Sequence, residues 1–217
     1  MYKAVIFDLD GTLTDTLESM ALASNKTLEY VGLKPRNVQE YKYFVGDGAD
    51  VLVRRFLVAA GDIECNLFEK AYDAYMKQFA QDCTYKVKPY DGIEDMLSQL
   101  KDMGIKLAVL SNKPHLRAVE VIDKFFRENT FDIAQGHSIG MEKKPDPTEA
   151  LAIAKKLGVK PNECIYVGDT DVDMQTGKSA GMYTVGVLWG FRDEKELREN
   201  GADYIARNPS DIFNLLK

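Results

Sequence analysis

Residues 4–13 read Ala-Val-Ile-Phe-Asp-Leu-Asp-Gly-Thr-Leu. A continuous apolar run bounded by glycine predicts a strand buried on both faces, as in a parallel sheet covered by helices. It ends in two carboxylates, Asp8 and Asp10, set two positions apart and followed by Gly11 and Thr12. Asp and Gly are ordinary turn residues. In an open α/β sheet, however, ligands gather just beyond the carboxyl ends of the strands. The pair therefore lies where a metal and an anionic substrate are expected.

The rest of the chain repeats the alternation that such a sheet needs. Strands are predicted over residues 3–8, 105–110, 131–135, 163–168 and 183–188. Between them, Ile93, Met96, Leu97 and Leu100 follow helical spacing, with Gly104 at the C-terminal cap. Asp146-Pro147-Thr148-Glu149 signals a helix start, with apolar positions continuing to Leu157 and Gly158 closing it. Strand and helix in turn predict an α/β, doubly wound, mostly parallel Rossmann-like sheet. Residues 16–84 break the pattern. Helices are expected from the Asp15/Glu18 pair to about Val31, over Ala49–Ala60 and over Leu67–Ala80, the last with Phe68, Tyr72, Tyr75, Met76 and Phe79 as a core stripe. The expected organisation is a catalytic core of residues 1–15 and 85–217, with an α-helical cap domain, 16–84, inserted directly after the paired acids.

Three further strand ends carry polar groups. Residues 106–110 lead into Ser111-Asn112-Lys113; Lys143 and Lys144 precede Pro145; residues 164–167 lead into Gly168-Asp169-Thr170-Asp171-Val172-Asp173. Each fragment alone reads as a turn, a solvated lysine or a capped helix start. Their order and shared placement do not.

These four motifs, Asp8-Leu9-Asp10-Gly11-Thr12-Leu13, Ser111-Asn112, Lys144-Pro145 and Gly168-Asp169 with Asp173, resemble those of the haloacid dehalogenase-like hydrolases over nearly the whole chain. An insert between the first and second motifs is similar to that family's helical cap. The resemblance implies a Mg²⁺-dependent phosphatase acting through an aspartyl-phosphate. Asp8 would be the nucleophile, Asp10 the acid and base, and Lys144 the cation that screens phosphate. Mg²⁺ would be held by Asp8, Asp169 and the main chain of Asp10, with Asp173 orienting Asp169 or a bound water. Thr12, Ser111 and the amide of Asn112 would hold phosphoryl oxygens. The electrostatics agree: two like charges about 4 Å apart cost roughly 4 kcal/mol at an effective dielectric near 20, about three decades in rate. A divalent cation and a lysine remove that penalty.

Val45-Gly46-Asp47-Gly48-Ala49 resembles the cap loop of phosphoglycolate phosphatases, in which Gly46 and Gly48 would let amides approach a small anion. Phosphoglycolate is the first substrate expected, and Arg54 or Arg55 is a candidate for its carboxylate. A β-phosphoglucomutase-like phosphosugar mutase and an inorganic pyrophosphatase share the same motifs and stay open as alternatives. Asp171 is read as helix-start charge, His115 and His137 as structural or solvated, and Trp189-Gly190-Phe191 as core or loop anchor.

A net charge of −6 argues against a nucleic-acid partner held through phosphates. No apolar stretch is long enough for a membrane span or a signal peptide. Cys65, Cys83 and Cys164 lack metal-like spacing and are expected as reduced thiols in a cytoplasmic protein, a monomer or homodimer.

Overall fold

The structure is a computed structural model that describes residues 2–217. Six parallel strands form one sheet in the order β5-β4-β1-β6-β7-β8. They are β1 (Ala4–Phe7), β4 (Lys106–Pro114), β5 (Ile133–His137), β6 (Cys164–Gly168), β7 (Tyr183–Val187) and β8 (Tyr204–Ala206). The chain runs outward from β1 to β5 on one side and from β6 to β8 on the other. The order thus reverses at β1, and the crevice beyond β4, β1 and β6 is the switch point of a doubly wound sheet.

The burial of β1 explains its composition. Val5 and Phe7 enter the cluster formed with Met96, Leu97 and Val121. Ala4 and Ile6 enter a separate cluster with Ala150, Ile153 and Ala154. A strand covered on both sides has no place for a polar residue until it ends.

The helices on those faces stop where the sequence directs. α4 (Ile93–Asp102) buries Ile93, Met96, Leu97 and Leu100. Gly104 follows at φ +76°, with its N–H on the Lys101 carbonyl and that of Ile105 on Leu100. This is a Schellman ending, which only a left-handed residue completes cheaply. α6 (Thr148–Lys156) ends the same way at Gly158, and the Asp146 carboxylate accepts from the Thr148 N–H at 2.9 Å.

Two differences concern strand length. β4 extends past residue 110 to Pro114, so Ser111 and Asn112 lie on the strand itself, where pairing with β5 is interrupted between Ser111 and Pro114. β8 is unannounced because three residues are too few to show a period. Two shorter strands, β2 (Thr14–Asp15) and β3 (Lys88–Pro89), pair antiparallel where the chain leaves and rejoins the sheet domain.

Between them lie α1 (Leu17–Tyr30), a 3-10 turn (Val38–Tyr43), α2 (Ala49–Ala59) and α3 (Phe68–Asp82). These helices have their own core, built on Leu28, Tyr41, Phe56, Tyr75 and Phe79. Tyr75 and Phe79 stack at 5.3 Å, and Phe68, Tyr72 and Met76 pack against that core, as the stripe predicts. All three cysteines are free thiols. Among the described residues no helix is long and apolar enough to cross a membrane.

Candidate active site

The first acid is placed by the end of β1. The Asp8 N–H donates to the Val167 carbonyl at 2.9 Å, so Asp8 emerges beside β6. The chain then curls tightly: Leu13 and Thr14 both donate to the Leu9 carbonyl, and Gly11 donates to Thr14. Gly11 sits at φ +86°, and a methyl group there would overlap the Asp169 carboxylate and the Phe191 ring. Glycine is therefore required twice over, by backbone and by space.

Asp169 follows β6 and is fully buried. Its Oδ1 accepts from the Thr12 hydroxyl at 3.0 Å and its Oδ2 from the Phe191 N–H at 2.8 Å. Asp173 lies one turn on, in α7 (Asp171–Ser179), and closes a capping box with Thr170. Its Oδ2 accepts from the Thr170 N–H at 3.1 Å and hydroxyl at 2.7 Å, while its Oδ1 takes Lys144 Nζ at 2.7 Å. The same ammonium lies 2.8 Å from Asp8 Oδ1. That contact is a buried ion pair.

Side-chain oxygens of Asp8, Asp169 and Asp173 lie within 4.8 Å of one another. Asp173, expected behind Asp169, is the third acid of the cluster. The Asp10 carboxylate turns instead to Lys113 Nζ, 2.7 Å away, which leaves Asp10 its main-chain carbonyl as the group for a metal. Thr12 also differs in setting: its hydroxyl is spent on Asp169, and it does not line the cavity.

Four carboxylates, Asp8, Asp10, Asp169 and Asp173, face two ammoniums, Lys113 and Lys144. Hard oxygen donors suit Mg²⁺, and three buried carboxylates offer oxygens within 4.8 Å of one another. The residues fit the ion.

Two of these acids, Asp8 and Asp169, resist ionisation. Burial lifts the Asp8 carboxyl to about 7; Lys144 opposes this, and Asp173 and Asp10 add to it. Burial, with the charges of Asp173 and Asp8, holds Asp169 well above the usual carboxylate range. Burial would lower Lys144, yet Asp173 and Asp8 outweigh it and keep the ammonium charged.

A raised folded-state value means that, between about pH 4 and 7, folded Asp8 keeps a proton which the unfolded chain has lost. Its contribution to stability is therefore present at low pH and lost as pH rises through 7. Melting temperatures in EDTA, wild type minus Asp8→Asn, are expected to fall across that window. Added Mg²⁺ should flatten the difference; a flat difference in EDTA would contradict this electrostatic account.

The loop after β7 packs against the acid centre. Trp189 Nε1 donates to the Thr12 carbonyl at 2.9 Å. A methyl group on Gly190 would overlap the Asp169 side chain and the Gly11 carbonyl. Gly190→Ala is expected to cost about 1–3 kcal/mol by overpacking and to lower turnover, checked by urea denaturation beside steady-state kinetics.

Several polar links tie the helical insert to this centre. Asn112 Nδ2 donates to the Gly46 carbonyl at 3.0 Å and to the Lys144 carbonyl at 3.1 Å, and its Oδ1 accepts from the Lys144 N–H at 2.9 Å. Lys143 bonds Asp50 at 2.7 Å and the Asp47 carbonyl at 3.2 Å. The Arg192 guanidinium donates to the Lys42 and Val45 carbonyls. Between insert and sheet remains a cavity of about 50 Å³, lined by Asp8, Asp10, Ser111, Asn112, Lys113, Lys144, Gly46 and Gly48. Ser111 Oγ accepts from the Lys113 N–H at 3.1 Å, so its own proton is free to donate.

Gly46 and Gly48 stand at φ +119° and +95°, and Gly48 caps α2. Neither arginine candidate reaches the cavity. Arg54 stacks 3.7 Å from the Phe68 ring centroid, and Arg55 pairs with Asp47 at 2.5 Å and the Phe44 carbonyl at 3.0 Å. His115 and His137 are structural, bonded to the Gly136 N–H and the Met141 carbonyl.

A buried acid cluster at the switch point of a parallel sheet, crossed by one lysine and faced by a helical insert, is the arrangement of a metal-assisted group-transfer enzyme. The model of the haloacid dehalogenase-like hydrolase family matches residues 5–187, and the chain belongs to that family. It is 35% identical to a phosphoglycolate phosphatase of Aquifex aeolicus, over 99% of this chain and 96% of that one. It is 34% identical to one of Neisseria meningitidis serogroup A, over 99% and 94%. Among solved structures, a predicted phosphoglycolate phosphatase from Haemophilus somnus superimposes with a TM-score of 0.91 at 28% identity, covering 100% of this chain and 98% of that one.

Proposed function

We propose that this chain is a Mg²⁺-dependent phosphoric monoester hydrolase whose preferred substrate is phosphoglycolate, with residues 16–84 acting as a cap that closes over the site. The observation that carries the reading is Asp8: a buried carboxylate at the end of the central strand, clustered with Asp169 and Asp173 and 2.8 Å from the Lys144 ammonium.

Asp8 attacks phosphorus, the ester oxygen departs, and the phosphoryl group rests on the carboxylate. Lys144 screens the approach of anion to anion. Asp10, at the cavity wall, gives the departing oxygen its proton and later draws one from the water that cleaves the acyl-phosphate. The Ser111 hydroxyl and the Asn112 amide hold phosphoryl oxygens in line. Thr12 acts one step back, holding Asp169, and Asp173 holds Lys144. Asp8, Asp169 and the Asp10 carbonyl would hold Mg²⁺, which supplies charge for the phosphoryl oxygens, with Asp173 behind them. The Asn112 link to Gly46 and the Lys143 link to Asp50 favour the closed insert, which keeps bulk water from the acyl-phosphate.

The relatives' names support a short substrate over a hexose. The test is a comparison of kcat/KM with Mg²⁺ for phosphoglycolate, β-glucose 1-phosphate and pyrophosphate. Phosphoglycolate is expected to lead. Faster turnover of the sugar phosphate would assign a mutase-like site, and of pyrophosphate a pyrophosphatase.

A further inference from the structure

The phosphoryl end of the cavity is furnished with charge; the other end holds one feature that the chemistry above leaves unused. Among the described residues, the cationic side chains lining the cavity are Lys144 and Lys113. Lys144 is occupied by Asp8 and Asp173. The Lys113 side chain is 2% exposed, and its ammonium makes one hydrogen bond, to Asp10. An ammonium carries three N–H donors, so two remain without an acceptor in a place that water scarcely reaches. Such donors are costly unless a ligand meets them. Met20, Leu52, Phe79 and Phe191 give the cavity an apolar wall, and Lys113 Nζ sits 4.8 Å from the Phe79 ring centroid.

Position adds to this. Granted the phosphomonoesterase activity proposed above, on which this step rests, Asp10 meets the ester oxygen of the leaving alcohol. Lys113 touches Asp10 and so lies beside the leaving group. On a glycolate, the carboxylate begins two bonds from that oxygen. We propose that Lys113 is the specificity-determining residue of the site, selecting phosphomonoesters whose alcohol bears a carboxylate next to the ester carbon. Its spare donors meet that carboxylate while the third stays on Asp10. Because Phe79 belongs to α3 of the insert, the pocket around this ammonium is complete only with the insert against the sheet.

The test compares kcat/KM for phosphoglycolate and for 2-hydroxyethyl phosphate, a near-isostere without the carboxylate, in wild type, Lys113→Gln and Lys113→Arg. Wild type should favour phosphoglycolate. Lys113→Gln should lower the ratio of the two about thirty-fold, the equivalent of one charged hydrogen bond; Lys113→Arg should keep the ratio within a few-fold. Taking the ratio on one preparation removes any loss of folded enzyme and any disturbance of Asp10, which act on both substrates. A fall by the same factor for both substrates in Lys113→Gln would overturn the assignment, leave Lys113 as a support for Asp10, and leave the phosphatase reading standing. Equal turnover of the two by wild type would also overturn the assignment, again without touching that reading. Turnover of neither would overturn both.

Discussion

Asp8→Asn is expected to lower kcat by at least about 10⁴-fold, because no other group in the cavity is placed to take its part as nucleophile. The same substitution should not unfold the protein. Asn matches Asp in size and removes a charge that burial already disfavours, since the Asp8 carboxyl is pushed up to about 7. In EDTA at pH 8 the variant should melt at or above the wild-type temperature. Activity and stability therefore move in opposite directions, which separates a chemical role from a structural one. A variant with wild-type turnover, or one that loses turnover only by unfolding, would contradict this account.

The second large effect is at Lys144. Its Nζ lies 2.8 Å from Asp8 and 2.7 Å from Asp173, with all three side chains buried. Lys144→Met leaves those carboxylates uncompensated, and breaking a buried pair from one side costs about 3–5 kcal/mol. The loss should be greatest in EDTA and smaller with Mg²⁺, which replaces part of the missing charge. Turnover should fall as well, since phosphate then meets the acids unscreened. Chemical denaturation in EDTA and in Mg²⁺, with kinetics under the latter, checks both parts. Stability unchanged in EDTA would mean that the ammonium and its acids are not coupled as their distances require.

The parts of this architecture legible in the sequence are those with a period or a forced residue. β1 shows because both of its faces are buried, with Val5 and Phe7 on one cluster and Ala4 and Ile6 on the other. α4 shows through four buried positions at helical spacing and a glycine that must be left-handed. Asp8 and Asp169 show because each follows a strand. Residues whose meaning depends on distant partners were silent. Lys113 has no periodic context, and its burial follows from Asp10, 103 positions away, and Phe79. The side chain of Asn112 is fixed by Gly46 and Lys144, so sequence pointed only to its amide. Gly190 is required by the Gly11 carbonyl and Asp169, a contact across almost the whole chain. Arg54 and Arg55 mislead in the opposite direction: their chemistry suits a carboxylate, but Phe68, Asp47 and the Phe44 carbonyl hold them elsewhere.

The central claim is that phosphorus passes to Asp8 before it reaches water. The most direct measurement is a single turnover with phosphorus-labelled phosphoglycolate and Mg²⁺, quenched in acid and digested. Label on the peptide that carries Asp8, released by hydroxylamine as an acyl-phosphate should be, is the predicted result. Complete conversion to glycolate and phosphate, with sampling fast enough to catch a bound phosphoryl group and none found on that peptide at any time, would contradict it.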